Sequence, residues 1–195
     1  MERHQAQDRI SRYLKARVPL IVIRSIEPNR VMEIVAGCAA GVRSMSFYEY
    51  SRTEGVKDLL SGQTLSDETS LAAALDEARS TFKARTNVNF VFSDVEDLDQ
   101  ESTTARHFAE MTRLAETRQG TIILISSTPL WTGLSRLGMS VALDLPGQDE
   151  MRQMVRGMLD DHRQVVQIEW QEAEISRASE ILSGMLKSMN VQHNV

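Results

Sequence analysis

Two short apolar runs, separated by an insert long enough for one helix, constrain this chain more than any other feature. The first is Asn89-Phe90-Val91-Phe92-Ser93, which continues into Asp94-Val95-Glu96-Asp97. The second is Thr121-Ile122-Ile123-Leu124-Ile125-Ser126, followed by Ser127-Thr128-Pro129. Both are rich in β-branched and aromatic residues, and neither alternates with polar positions, as in strands covered on both faces. Parallel strands need a crossover of a dozen or more residues. The insert supplies one, with Phe108, Met111, Leu114 and Ala115 at helical spacing. The pattern is that of a parallel βαβ unit. The polar residues at the carboxyl ends of its strands would line the edge where open α/β sheets bind ligands.

The rest of the chain extends this unit in both directions. Residues 8–17 form a short helix with Ile10, Tyr13 and Leu14 on one face, and residues 18–24 the first strand. Pro28 opens a helix carrying Val31, Ile34, Val35 and Cys38, and Gly41 ends it. Residues 42–50 are the second strand. Residues 51–65 are expected to be a polar loop with one helical turn at Val56–Leu60. Ser66 is expected to cap the next helix, whose repeat is Leu71, Leu75, Ala78 and Phe82. Ser102 caps the helix of the insert and Gly120 ends it. An irregular link, 130–138, leads to a short fifth strand at 140–146. After Gly147 the period is helical. One helix holds Met151, Met154, Val155, Met158 and Leu159 as a core face. A link holds Val165–Ile168, a last helix holds Ile175, Ala178, Ile181, Leu182 and Met185, and residues 190–195 form a polar tail. The expected architecture is therefore α/β: a five-stranded parallel sheet with helices on both faces in residues 1–147, including an N-terminal helix over 1–17. A small, partial helical lid follows in 148–195.

Composition narrows the function classes. At 195 residues, with 42% hydrophobic and 25% charged, the chain has the size of one domain with an appendage. Its one cysteine, Cys38, excludes a disulfide within the chain and reads as core packing. No apolar run reaches membrane-spanning length and the first residues are polar, so a cytoplasmic, non-membrane protein is expected. The net charge of −5 argues against broad nucleic-acid binding. The seven Lys and Arg against three acids in the first thirty residues read as a solvated helix face. His4, His107, His162 and His193 are scattered without metal-ligand spacing, so no metal site is expected.

The order of these elements resembles P-loop ATPases of the AAA+ type, which have a five-stranded parallel sheet followed by a helical lid. On that resemblance, Asn89 to Asp97 is similar to a Walker B strand, with Asp94, Glu96 and Asp97 where acids hold Mg²⁺ and orient water. Thr121 to Pro129 is similar to the sensor-1 strand, with Ser127 or Thr128 at the polar position. Leu145-Pro146 followed by Met151-Arg152 resembles the junction into the lid. Arg136 falls where the family often carries an arginine finger acting on a neighbour's nucleotide. Leu14-Lys15-Ala16-Arg17-Val18-Pro19-Leu20-Ile21-Val22-Ile23 narrows the resemblance to a poorly characterised group of bacterial and plastid AAA+ ATPases. In that group the N-terminal half is a relative of the active C-terminal half that lacks the phosphate loop. The resemblance implies either a fragment of such a protein or a stand-alone descendant.

The first strand departs from the ATPase pattern. The family's G-x-x-x-x-G-K-[ST] wraps phosphates with backbone amides and neutralises them with lysine. Here the strand runs into Arg24-Ser25-Ile26-Glu27-Pro28-Asn29-Arg30, which has no glycine, no lysine and no amide at the proline. The expectation is a non-catalytic AAA+-like domain without a nucleotide cofactor, packing against an active AAA+ domain or against copies of itself. A second reading is a divergent ATPase binding ATP and Mg²⁺, with Arg24, Ser25 and Arg30 at the phosphate position. A third is a clamp-loader-like subunit. Ser126, Ser127 and Thr128 read as turn-capping hydroxyls rather than nucleophiles, because no histidine lies near them in sequence.

Overall fold

The apolar runs form the middle of the sheet. The computed structural model describes residues 1–93, 95–162 and 170–193, with side chains through Leu186. Asp94 and the expected link at Val165–Ile168 lie outside the described residues. The chain divides into two compact units, residues 3–143 and 144–195.

The first unit is a seven-stranded sheet in the order β4-β3-β2-β5-β6-β1-β7. Its strands are β1 (Leu20–Arg24), β2 (Ser46–Ser51), β3 (Gly55–Asp58), β4 (Thr64–Ser66), β5 (Val88–Phe92), β6 (Thr121–Ser126) and β7 (Met139–Ala142). Strands β2, β5, β6, β1 and β7 are mutually parallel. The helices are α1 (Arg3–Lys15), α2 (Pro28–Ala40), α3 (Leu71–Ala84), α4 (Thr103–Thr117) and the short α5 (Thr132–Ser135). Every residue of β5 is buried, as are the first five of β6, as unalternating runs require.

Successive strand residues feed two cores on opposite faces. Val22, Phe90, Phe92, Ile122 and Leu124 meet Phe82 of α3 and Phe108 of α4 on one face. Ile21, Ile23, Val91, Ile123 and Ile125 meet Ile10, Leu14, Val31, Ile34 and Val35 of α1 and α2 on the other. An aromatic cluster anchors the first face. Phe92 and Phe108 meet edge to face with centroids 5.0 Å apart, and Phe90 lies 5.4 Å from Phe82. Cys38 is 2% exposed within the second core. Burial is the main influence on its thiol and pushes its pKa up.

The sheet is mixed, not purely parallel with five strands. Residues 51–66 hold an antiparallel hairpin, β3–β4, rather than a polar loop with a helical turn at Val56–Leu60. Gly55 makes it possible: its φ is +72°, and a Cβ there would stand 2.3 Å from the Ser66 carbonyl. Asp58 closes the hairpin loop by accepting from the amides of Leu60 and Ser61 and from the Ser61 hydroxyl, at 2.8–3.0 Å. Val56 is the one fully buried apolar residue of the two strands, too few for a strand period to register in the sequence. Ser66 consequently lies in β4, and Ser70 is the cap of α3, accepting from Ala73 N at 3.2 Å. Ser102 caps α4 as expected, accepting from Ala105 N at 2.9 Å. Gly120 does not provide the left-handed turn after α4. Gln119 does, with φ +56°. Gly120 is needed for space instead, since a Cβ would lie 2.5 Å from the Val88 carbonyl.

The second unit is a hairpin of α6 (Gln148–His162) and α7 (Glu172–His193), so the expected tail from residue 190 is helical through His193. Its core is Val155, Leu159 and Ile175. Met154 and Met158 are 42% and 62% exposed, and Ile181, Leu182 and Met185 are also exposed, contrary to a continuous core face. Two helices share a single seam, so apolar positions off that seam stay in solvent. Among the described residues no helix is long and apolar enough to cross a membrane.

Candidate functional site

Parallel strands deliver their following loops to one edge, and the ends of β1, β5 and β6 build an open cleft there of about 550 Å³. Ser25, Ile26 and Pro28 form one wall, residues 95–99 a second, and Ile125 to Thr128 the floor between them. The cleft therefore gathers Ser25, Glu96, Asp97, Ser127 and Thr128 from the sequence-predicted site. Among the described residues no group of His, Cys, Asp and Glu could hold a metal ion.

The wall after β1 is short and its polar groups are engaged. Ser25 N donates to the Ser126 carbonyl at 3.1 Å, and Glu27 N donates to Ser25 Oγ at 3.1 Å. Pro28 is the first residue of α2 and has no amide to give. Arg30 is 5% exposed and its guanidinium donates to Glu27 Oε2 at 2.9 Å, so it packs into the helix base instead of lining the cleft. Arg24 is exposed at the end of β1, beside Ser126 and Ala142 in register, and also lies outside the lining.

The acidic wall is shaped by backbone geometry. Asp97 has φ +58°, a left-handed conformation that Asp tolerates better than most residues. Its carbonyl accepts from the Ser102 hydroxyl at 2.5 Å, tying the turn to the start of α4. The neighbouring Leu98 is 3% exposed, and its carbonyl accepts from Trp131 N at 2.6 Å. On the floor, Ser126 Oγ donates to the Thr128 carbonyl at 2.9 Å and accepts from Thr128 N at 3.2 Å. That hydroxyl is spent on the turn, as the sequence suggested.

One cleft residue was missed. Arg52, in the turn between β2 and β3, reaches the mouth of the cleft and pairs with Glu96 at 3.1 Å. It lay in the stretch read as polar loop, and only the hairpin carries it there. Beside it, burial raises the Tyr50 phenol pKa and the Arg52 charge lowers it, the net direction being up. Tyr50 donates to the Thr69 carbonyl at 2.7 Å. Arg136 stands apart from all of this. It caps α5 at the edge where the strands begin, exposed and without a side-chain partner among the described residues.

The five parallel strands, their covering helices and the cleft at their carboxyl ends define an α/β domain of the AAA+ class. The chain belongs to the SpoVK-like AAA ATPase N-terminal domain family, whose model matches residues 6–143. Similar solved structures include a chain of the E. coli MS115-1 HORMA:CdnC:Trip13 complex. It is 11% identical, with a TM-score of 0.59, covering 91% of this chain and 72% of that one. Domain III of the Thermotoga maritima replication initiation protein DnaA is 13% identical, with a TM-score of 0.54, covering 91% and 74%. C. elegans PCH-2 is 8% identical, with a TM-score of 0.56, covering 88% and 50%. At these identities the likeness shows the fold alone. No curated protein matches the sequence.

Proposed function

We propose that this chain is a non-catalytic AAA+-type interaction domain that packs against an AAA+ ATPase domain or against copies of itself, without a nucleotide of its own. The β1–α2 connection carries this reading. It spans Ser25, Ile26 and Glu27, two of its three amides are hydrogen-bonded within the protein, and α2 then opens on a proline. A phosphate needs several converging amides and a nearby cation. The one arginine in the first turn of α2 is turned onto Glu27. The intact cleft and acidic wall fit a domain that keeps its shape for a partner. The family description, an N-terminal domain of an ATPase, supports an adjoining ATPase domain as that partner.

Titration calorimetry of the chain with ATP and Mg²⁺ tests the reading. No heat of binding up to millimolar nucleotide is expected. Micromolar binding, with turnover abolished by Glu96→Gln, would replace it with the divergent-ATPase reading.

A further inference from the structure

The edge opposite the cleft carries a second, independent feature. Strands β2, β5, β6, β1 and β7 all begin there, in that spatial order. Each is entered from a helix through a short connection. With the last two helical residues, these connections are 39–45, 83–87, 116–120, 14–19 and 134–138. They hold seven cations and one acid, Glu116, in a chain whose net charge is −5. The cations follow the strands: Arg43 before β2, Lys83 and Arg85 before β5, Arg118 before β6, Lys15 and Arg17 before β1, Arg136 before β7. Neighbouring strands lie ~4.8 Å apart, so the row extends about 19 Å.

None of the seven has a carboxylate partner among the described residues. Arg17 donates to the Gln119 carbonyl at 3.5 Å, Arg118 to the Lys83 carbonyl at 2.8 Å, and Arg85 to the hydroxyls of Tyr48 and Ser46 at 2.7 and 3.0 Å. Among the described residues, Lys15, Arg43, Lys83 and Arg136 have no side-chain hydrogen bond or ion pair. Ion pairing occurs elsewhere on the same molecule: Arg3 with Glu33, Arg52 with Glu96, Arg106 with Glu101. Helix carboxyl ends gather here and favour cations. That preference does not require a cation on every strand or the near-exclusion of acids.

The shape of the edge indicates what it would hold. The connections are short, so nothing protrudes to enter a groove. They contain no aromatic residue to stack on bases. Five of the seven cations are arginines, whose planar fork suits phosphate oxygens. A second copy's cleft edge is a poorer match in number: Glu27, Glu54, Glu96 and Glu101 are paired within the chain, and the lining leaves Asp97 and Asp99 to face seven cations. A duplex presents one phosphate per ~1.7 Å of axis, enough to face the whole row. We propose that this strand-entry edge binds the phosphate backbone of double-stranded nucleic acid without reading sequence.

Fluorescence anisotropy of the full chain with a labelled 30-base-pair duplex, from 50 to 200 mM KCl, tests the proposal. Neutralising about five phosphates predicts a slope of log K against log salt near −4.5, or about 500-fold weaker binding across that range. The triple variant Lys15→Ala, Arg43→Ala, Lys83→Ala removes side chains with no bonded partner among the described residues, so it should stay folded, its unfolding midpoint lowered only slightly by the loss of Lys15 and Lys83 at helix ends. Its slope should fall to about −2, since each lost phosphate contact removes about one unit. A control removing Arg3, Arg9 and Arg106, which lie away from the carboxyl ends of α1 and α4, should keep the steep slope. Three outcomes overturn the proposal: no binding at 50 mM KCl, an equal loss in the control, or an edge variant that changes only self-association in light scattering. The last would assign the edge to an acidic protein surface.

Discussion

The two edges of the sheet are built from the same strands and are electrostatic opposites. At the cleft edge, the cation in the lining pairs with an acid across the mouth, Arg52 with Glu96. The loops there are anchored by hydrogen bonds from Ser25, Ser102 and Ser126. At the strand-entry edge, Arg17, Arg85 and Arg118 donate to carbonyls and hydroxyls, and none of the cations has a carboxylate partner among the described residues. The difference teaches that net charge is a poor guide to what such a domain can touch. A value of −5 argued against nucleic acid, yet it averages an acidic edge, where Glu96, Asp97 and Asp99 face one arginine, and a basic one.

The backbone draws the same contrast. Both edges hold left-handed residues: Asp97 beside the cleft, and Arg17, Asn87 and Gln119 at the entry edge. Arg17 and Gln119 sit just past helix ends. After Arg17, Val18 N donates to the Tyr13 carbonyl at 3.1 Å; after Gln119, Gly120 N donates to the Ala115 carbonyl at 2.9 Å. The entry edge is thus compact by helix-capping geometry, and the cleft edge by side-chain hydroxyls.

The largest expected effect lies at the entry edge. Gly120→Ala should cost about 2–3 kcal/mol in urea unfolding, because the new Cβ meets the Val88 carbonyl and Phe82. A cost below about 1 kcal/mol would mean the edge is not tightly packed. At the cleft edge, Glu27→Gln should cost about 2 kcal/mol by weakening a charged hydrogen bond to Arg30, without altering the anisotropy with duplex. A change in duplex affinity would blur the separation of the two edges. Replacing Gln119 with Gly should stabilise by about 0.5–1 kcal/mol, and Asp97→Gly by less, since Asp tolerates this backbone region better. Equal gains would remove any distinction between the two turns.

The smallest effect is expected beside both edges, in the β3–β4 hairpin. Burial raises the Asp58 pKa, but the bonds from Ser61 and Leu60 outweigh it, and the net direction is down. Its contribution is therefore present above the unfolded value near ~3.9 and lost as pH falls through the folded value. Asp58→Asn should cost about 0.5 kcal/mol at pH 7, discounted for exposure, and nothing measurable near pH 2. A cost independent of pH would assign the hairpin's closure to shape rather than charge.

Strands β1, β2, β5 and β6 and helices α1 to α4 were legible because each carries its own apolar run or period. Phe90 and Phe92, or Ile122 and Leu124, declare their burial without any neighbour. The hairpin was not legible, because β3 and β4 hold one buried apolar residue between them and so have no period to show. Ser66 was taken for a cap because four cap-forming residues, Ser66, Asp67, Thr69 and Ser70, precede Leu71 and composition cannot choose among them. Of the cleft, Glu96, Asp97, Ser127 and Thr128 were legible from their positions at strand ends. Arg52 was not, since it arrives from the missed hairpin.

Local periodicity, then, was enough to determine the parallel strands of the sheet and the edge at which acids and hydroxyls collect, but not the antiparallel hairpin. Those properties depend on neighbours within about twenty residues. Which arginine faces which carboxylate, and that seven cations from five distant segments share one edge, was decided only by the strand order. Register across a sheet brings together residues far apart in the chain, and charge acts through space rather than along sequence.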